Sequence, residues 1–263
     1  MEPQLLAAPL PPVSVLAVPL AAFGLVLGSF VTALSYRLPR GESVARGRSK
    51  CPACGHVLGA ADLIPVISWV AHGGACRHCR APVSWRYPAI EIVSATLFVA
   101  AGVLVHDFVH LALLLAMTSV MMTLAIIDLE HRRLPNSVVL VLATLALAWR
   151  VAGSGGMLEG AGLAAASAVL GIGLDAIYRA RTGRTGLGGG DTKVLAVVGL
   201  ALGLGPFLMT LTLAGLFGVL GGIFARAHRG ESEFAFAPGI LAAFWLGLAG
   251  GEDIIALLII RLS

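Results

Sequence analysis

Charge is scarce in this sequence. Asp, Glu, Lys and Arg make up 12% of its 263 residues, against roughly 25% in a soluble domain, which excludes a water-solvated globule as the whole structure. Short segments of alternating polarity are missing too, and a membrane-spanning β-barrel is excluded with them. The opening segment lacks a basic n-region, carrying only Glu2, and its apolar run continues to Leu34; it is expected to span the bilayer rather than to be removed as a signal peptide. The glycine run Gly186-Leu187-Gly188-Gly189-Gly190 leads into Asp191-Thr192-Lys193. It therefore matches neither the G-x-x-x-x-G-K-[ST] phosphate loop nor the G-x-G-x-x-G dinucleotide turn.

What is present is apolar: 58% hydrophobic residues and a mean hydropathy of +0.92. Spanning helices are expected at about Val13–Leu34, Ile90–Val105, Phe108–Ile127, Val138–Val151, Met157–Tyr178, Val194–Leu208, Leu211–Ala227 and Pro238–Gly251, several of them short of the ~20 residues that cross hydrocarbon. Ile254–Ile260 continues the last span or lies as an interfacial helix. The predicted class is an all-α polytopic membrane protein of about eight transmembrane helices. With the N-terminus outside, every Lys and Arg except Arg150 and Arg261 falls on the cytosolic side, 16 of 18, so the positive-inside rule selects that orientation in the cell membrane. The net charge of +4 then reports topology, and no nucleic-acid partner is expected.

Residues 37–87 form the long polar segment, a cytosolic insert between the first two spans. It carries Cys51-Pro-Ala-Cys54 and Cys76-Arg-His-Cys79, two C-x-x-C knuckles able to present four thiolates to a structural zinc, although the gap between the pairs is slightly longer than in common zinc ribbons. A reducing compartment disfavours disulfides, and so small an insert gains folding energy from metal. A redox C-x-x-C would need a βαβ setting that is not evident. His56, His72 and His78 are alternative ligands, or neighbours of the ligands. The chain thus divides into a first helix (1–36), the insert (37–87) and a membrane bundle (88–263).

Acids at the rim of spanning helices are costly and need a reason. Glu91, Asp128, Glu159, Asp175 and Asp191 qualify. Asp128 closes the third span and Asp191 opens the sixth, both on the cytosolic side. Taken singly, each is as well explained as a helix cap or solvated turn residue. Asp175 is expected to pair with Arg179 at i, i+4, and Glu159 to lie at the outer interface.

The ordered set Gly28-Ser29-Phe30, Tyr36-Arg37-Leu38-Pro39, the two cysteine pairs, Ile64-Pro65, Ser68-Trp69, Arg86-Tyr87-Pro88 with Glu91, Ile127-Asp128, Pro135-Asn136 and Gly188-Gly189-Gly190-Asp191-Thr192-Lys193 resembles the type IV prepilin peptidases over nearly the whole chain. The last stretch is similar to the G-x-G-D motif of membrane aspartyl proteases. Two positions depart from the family: Phe236-Ala237-Pro238 replaces Phe-Gly-Pro, and Asp62-Leu63-Ile64-Pro65 replaces Asp-Asn-Ile-Pro. The resemblance implies cleavage of the basic leader from a prepilin or pseudopilin precursor lying in the lipid bilayer. Asp128 and Asp191 would then activate water as a pair that shares a proton, with Asp191 at a helix N-terminus favoured as the anion. It further implies N-methylation of the new terminus from S-adenosylmethionine, with the insert and Glu91 as the matching region. A non-catalytic zinc scaffold and a proton- or cation-coupled transporter are the rival classes.

Overall fold

The computed structural model describes residues 10–44, 46–153, 155–183, 185–229 and 234–262, with the side chains of 228, 229 and 252–262 left aside. Arg184 and the side chains of Arg229, Arg261 and Ile254–Ile260, which entered the expectations above, lie outside the described residues. The chain is helical: α1 (Val13–Arg37), the short α2 (Ile67–Ala71), α3 (Arg86–Leu104), α4 (Phe108–His131), α5 (Asn136–Ala152), α6 (Met157–Thr182), α7 (Gly189–Ala201), α8 (Leu204–Arg229) and α9 (Ala237–Leu262). Among the described residues α1, α3, α4, α6 and α8 are long and apolar enough to cross a membrane, and α5 and the first part of α9 are shorter apolar helices.

Prolines mark the helix starts. Pro88, Pro206 and Pro238 fall in the first turns of α3, α8 and α9, where an N–H has no intrahelical partner to lose. Pro206 also corrects one expected boundary. The sixth and seventh spans divide at Leu202–Gly203, ahead of this proline, rather than after Leu208. At the other end of α7 the helix begins at Gly189 instead of Val194, because Thr192 donates both its N–H and its hydroxyl to the Gly188 carbonyl. The backbone of α9 continues as helix to Leu262.

Two compact units divide the chain, Met1–Ser119 and Val120–Ser263. In the first, α1 lies along α3 through a stripe of small residues. A Cβ on Gly24 would stand 2.6 Å from the Ala95 Cα, and one on Gly28 would stand 2.7 Å from the Glu91 Cα. Helices in lipid gain little by burying apolar surface, so this close backbone approach supplies the van der Waals contact that joins them. In the second unit α7 packs against α5 and α6, and α8 against α9. Gly171 of α6 faces the Thr192 side chain, and Gly199 of α7 faces the Leu163 backbone.

Candidate active site and metal centre

The insert is built from two hairpins of like design. In the first, Cys51 donates its N–H to His56 O, Gly55 donates back to Cys51 O, and Leu58 donates to Ser49 O; in the second, Cys76 donates to Ala81 O, Arg80 to Cys76 O, and Val83 to Gly74 O. Each hairpin turns through a left-handed residue just after its second cysteine, Gly55 at φ 70° and Arg80 at φ 60°. Between them, Trp69 of α2 donates its indole N–H to Val83 O at 2.9 Å and lies against Gly74. Asp62 accepts the Gly59 N–H at 2.9 Å and faces Arg77 at 3.7 Å and His72 at 3.8 Å. The Gly59 amide, reinforced by the Arg77 charge, holds the Asp62 carboxyl below its ordinary range.

The geometry converges on the four thiols. The Sγ atoms of Cys51, Cys54, Cys76 and Cys79 all lie within 4.8 Å of one another, none is in a disulfide, and Cys51 Sγ stands 3.8 Å from Cys79 Sγ. A tetrahedron with Zn–S bonds of about 2.3 Å has edges of about 3.8 Å, so the donor set fits zinc in type, number and spacing. The amides of Cys54 and Ala53 draw the Cys51 thiol down to about 7, while, against the pull of the Ala81 amide, burial and the three neighbouring thiols push Cys79 up to about 11, so Cys51 is the first to offer a metal its thiolate. His56 and His78 stack on each other with ring centroids 3.5 Å apart, while His72 keeps company with Asp62.

Glu91 sits on α3 in the same unit, 7% exposed. Its Oε2 accepts the Val66 N–H at 2.7 Å, and its backbone lies against Gly28 of α1. Val66 stands at φ 60°, a strained conformation for a β-branched residue. Glu91 therefore joins α1, α3 and the backbone of the insert.

The second unit carries Asp128 on α4 and Asp191 on α7, and Leu134, six residues after Asp128, packs against Gly190, next to Asp191. Asp128 is 6% exposed, and its Oδ2 accepts the Ala237 N–H at 2.9 Å. Asp128 thus does cap a helix, the N-terminus of α9, while lying in the last turn of its own. Gly188 holds the N-cap position of α7 without a side-chain hydrogen bond, and Asp191, three residues on, turns its Oδ2 back against Gly188. The Asp191 Oδ1 is buried and has no hydrogen-bond partner among the described residues.

Around Asp191 the loop is fixed on three sides. Lys193 donates to Asn136 Oδ1 at 2.8 Å, and Leu134 fills the space that a Cβ on Gly190 would occupy. Asp175 pairs with Arg179 as expected, at 2.6 Å, and its Oδ1 also accepts the N–H groups of Gly186 and Leu187. Sequence reasoning had no signal for these amide contacts. It also missed that Glu159 pairs with the buried Arg150 at 3.3 Å and accepts the Leu204 N–H at 2.9 Å, tying α5, α6 and α8.

A helical bundle of membrane-spanning composition, with a four-cysteine insert after its first helix, defines the class of polytopic membrane proteins to which this chain belongs. Comparison with known proteins narrows it. The family model described as the bacterial peptidase A24 N-terminal domain matches residues 22–105, and that of the type IV leader peptidase family matches residues 115–223. The prepilin leader peptidase/N-methyltransferase of Bacillus subtilis (strain 168) is 32% identical over 238 residues, covering 89% of this chain and 94% of that protein. Proteins of the same name from Aeromonas hydrophila and Neisseria gonorrhoeae are 33% and 30% identical, covering 88% and 90% of this chain and 90% and 92% of their own lengths. No solved structure matches significantly. The chain is a member of the type IV leader peptidase family.

Proposed function

We propose that this protein is a membrane aspartyl endopeptidase that removes the basic leader from prepilin or pseudopilin precursors at the cytosolic face of the bacterial inner membrane, and that it N-methylates the terminus so exposed. Two carboxylates on separate helices of one unit, with Leu134 just beyond Asp128 packed against Gly190 and Asn136 bonded to Lys193 on either side of Asp191, carry the peptidase reading. Oδ1 of Asp191 is an unused acceptor, the atom to which a nucleophilic water would give its proton. The water oxygen adds to the scissile carbonyl carbon while the partner carboxylic acid protonates the carbonyl oxygen; the proton taken by Asp191 then passes to the departing nitrogen as the partner carboxylate takes one back from the gem-diol. Collapse leaves the leader with a new carboxylate and the mature chain with a free amine. The glycines before Asp191 leave room for an extended substrate backbone to approach.

The relatives' names pair this activity with methyl transfer. S-adenosylmethionine, when bound, supplies an electrophilic methyl to the new amine. The family resemblance assigns that step to the region of the insert and Glu91, whose side chain is buried. Glu91 is also the clamp on Val66, so its substitution disturbs the insert as well. Zinc held by Cys51, Cys54, Cys76 and Cys79 has a structural part only.

Orientation follows the charge: with the N-terminus outside, the insert and both aspartates face the cytosol, where a precursor's basic leader waits. Purified enzyme given a prepilin, with leader loss read by mass, tests the assignment. Asp128→Asn and Asp191→Asn are expected each to lose at least about a thousandfold in kcat/KM. Because Asp128 also caps α9, the rival reading is a scaffold with structural acids; no cleavage by the folded parent protein would favour it, and undiminished cleavage by folded Asp191→Asn would remove the catalytic role of that residue.

A further inference from the structure

The segment that delivers Asp191 has almost no side chains with which to fix itself. Four of the five residues Gly186–Gly190 are glycine, and such a run has wide backbone freedom. Its anchor comes from α6. Asp175 Oδ1 accepts the Gly186 N–H at 2.9 Å and the Leu187 N–H at 3.3 Å. Its Oδ2 is held by Arg179 Nε at 2.6 Å, one turn further on. The Tyr178 ring packs where a Cβ on Gly186 would stand, 2.7 Å from its nearest atom. The Asp175 side chain is 16% exposed against 56% for Arg179, so the sheltered partner is the one that touches the loop.

An ion pair within one helix explains the Arg179 contact and nothing more. It gives no reason for one oxygen of Asp175 to gather two successive amides of another segment. That arrangement is a charge-assisted anchor on backbone N–H groups, set at the entry to the glycine run and five residues before Asp191. We propose that Asp175 is a positioning residue for the peptidase reaction, holding the entry of the glycine run so that Asp191 meets Asp128 and the substrate in register. The inference rests on the reading of Asp191 as catalytic. Asp175 acts through the Gly186 and Leu187 amides.

The test uses the full-length enzyme in detergent with a prepilin substrate. It compares Asp175→Ala, Asp175→Asn, Arg179→Met and Asp191→Asn, and follows hydrogen–deuterium exchange of the peptide covering Gly186 and Leu187. A displacement of about 1 Å in a reacting group costs on the order of a hundredfold. Asp175→Ala is therefore expected to lose between about tenfold and a hundredfold in kcat, with KM within about threefold, and with accelerated exchange confined to the loop. Asp175→Asn keeps an oxygen that can accept both amides and should recover most of the rate and the protection. Arg179→Met should stay within a few-fold of the parent.

Wild-type kcat in folded Asp175→Ala overturns the proposal. So does an Asp175→Asn enzyme that melts like the parent yet is as slow as the alanine variant. Should the alanine variant fail to fold, Asp175→Asn decides: retained rate and slow loop exchange support the anchor, and loss of both overturns it. Full cleavage by Asp191→Asn would remove the catalytic reading itself, while the exchange data would still say whether Asp175 holds the loop.

Discussion

The cysteine insert and the aspartate end of Val120–Ser263 both gather acidic groups into a small volume, by opposite routes. In the insert the groups arrive in adjacent pairs, each on a hairpin closed by its own backbone hydrogen bonds, and the four thiols then need only two hairpins to meet. At the aspartate end each acid comes alone, from α4 and from α7, and the encounter depends on several helices. The contacts that secure it are correspondingly remote in sequence: Ala237 to Asp128, Lys193 to Asn136, Leu134 against Gly190. Chemistry held by local geometry is readable from spacing, and chemistry held by packing is not.

The sharpest way to break the comparison is to remove one site and ask what the other does. Asp128→Asn or Asp191→Asn should abolish cleavage while the protein keeps one zinc per chain, measured by atomic emission. Cys51→Ser with Cys76→Ser should do the reverse at the metal. Structural zinc contributes on the order of 10 kcal/mol to folding so small a domain, and the insert should become protease-sensitive while the peptidase retains activity. Cleavage lost together with zinc would mean that the sites are not independent.

Next in size is the α1–α3 contact. A valine at Gly28 would drive atoms to within 3 Å of the Glu91 Cα, which is backbone and cannot turn aside. Overpacking of this kind costs roughly 3 kcal/mol, and Gly28→Val should lower the thermal midpoint in detergent and displace Glu91 from Val66. In the other unit the matching perturbation is at Glu159. Arg150 is 6% exposed and Glu159 is 44% exposed at the side chain. Removing the acid therefore strands a buried cation, whereas removing the cation leaves an acid that water can reach. Glu159→Ala should cost about 2 kcal/mol and Arg150→Met less, read as midpoint shifts under the same conditions.

These differences explain what the sequence revealed and what it withheld. The helical class was legible because 58% hydrophobic content leaves few other solutions, and the four-cysteine cluster because C-x-x-C pairs bring their own geometry. Asp128 and Asp191 stood out as acids at helix ends beside a glycine run. Their pairing was implied by the family resemblance alone, since nothing local to either residue encodes it. The division of α7 from α8 was misplaced because the apolar composition runs on through Leu202, and only Pro206 marks the break. Asp175, Glu159 and Arg150 carry contacts with backbone amides and a buried charge that no periodicity announces.

The smallest prediction compares the two hairpins with each other. Both need a left-handed residue after the second cysteine, and the first supplies glycine while the second uses Arg80 at φ 60°. A non-glycine residue held there costs about 1 kcal/mol or slightly more, and the added freedom of glycine in the unfolded chain returns somewhat under 1 kcal/mol of that. Arg80→Gly should therefore stabilise the insert by a few tenths of a kcal/mol, up to about 1, and Gly55→Ala should destabilise it by about 1 kcal/mol. Zinc transfer to a chelator from the full-length protein reads both changes, slower for Arg80→Gly and faster for Gly55→Ala. Faster transfer from Arg80→Gly would mean that the arginine side chain gives the second hairpin more than its backbone strain takes away.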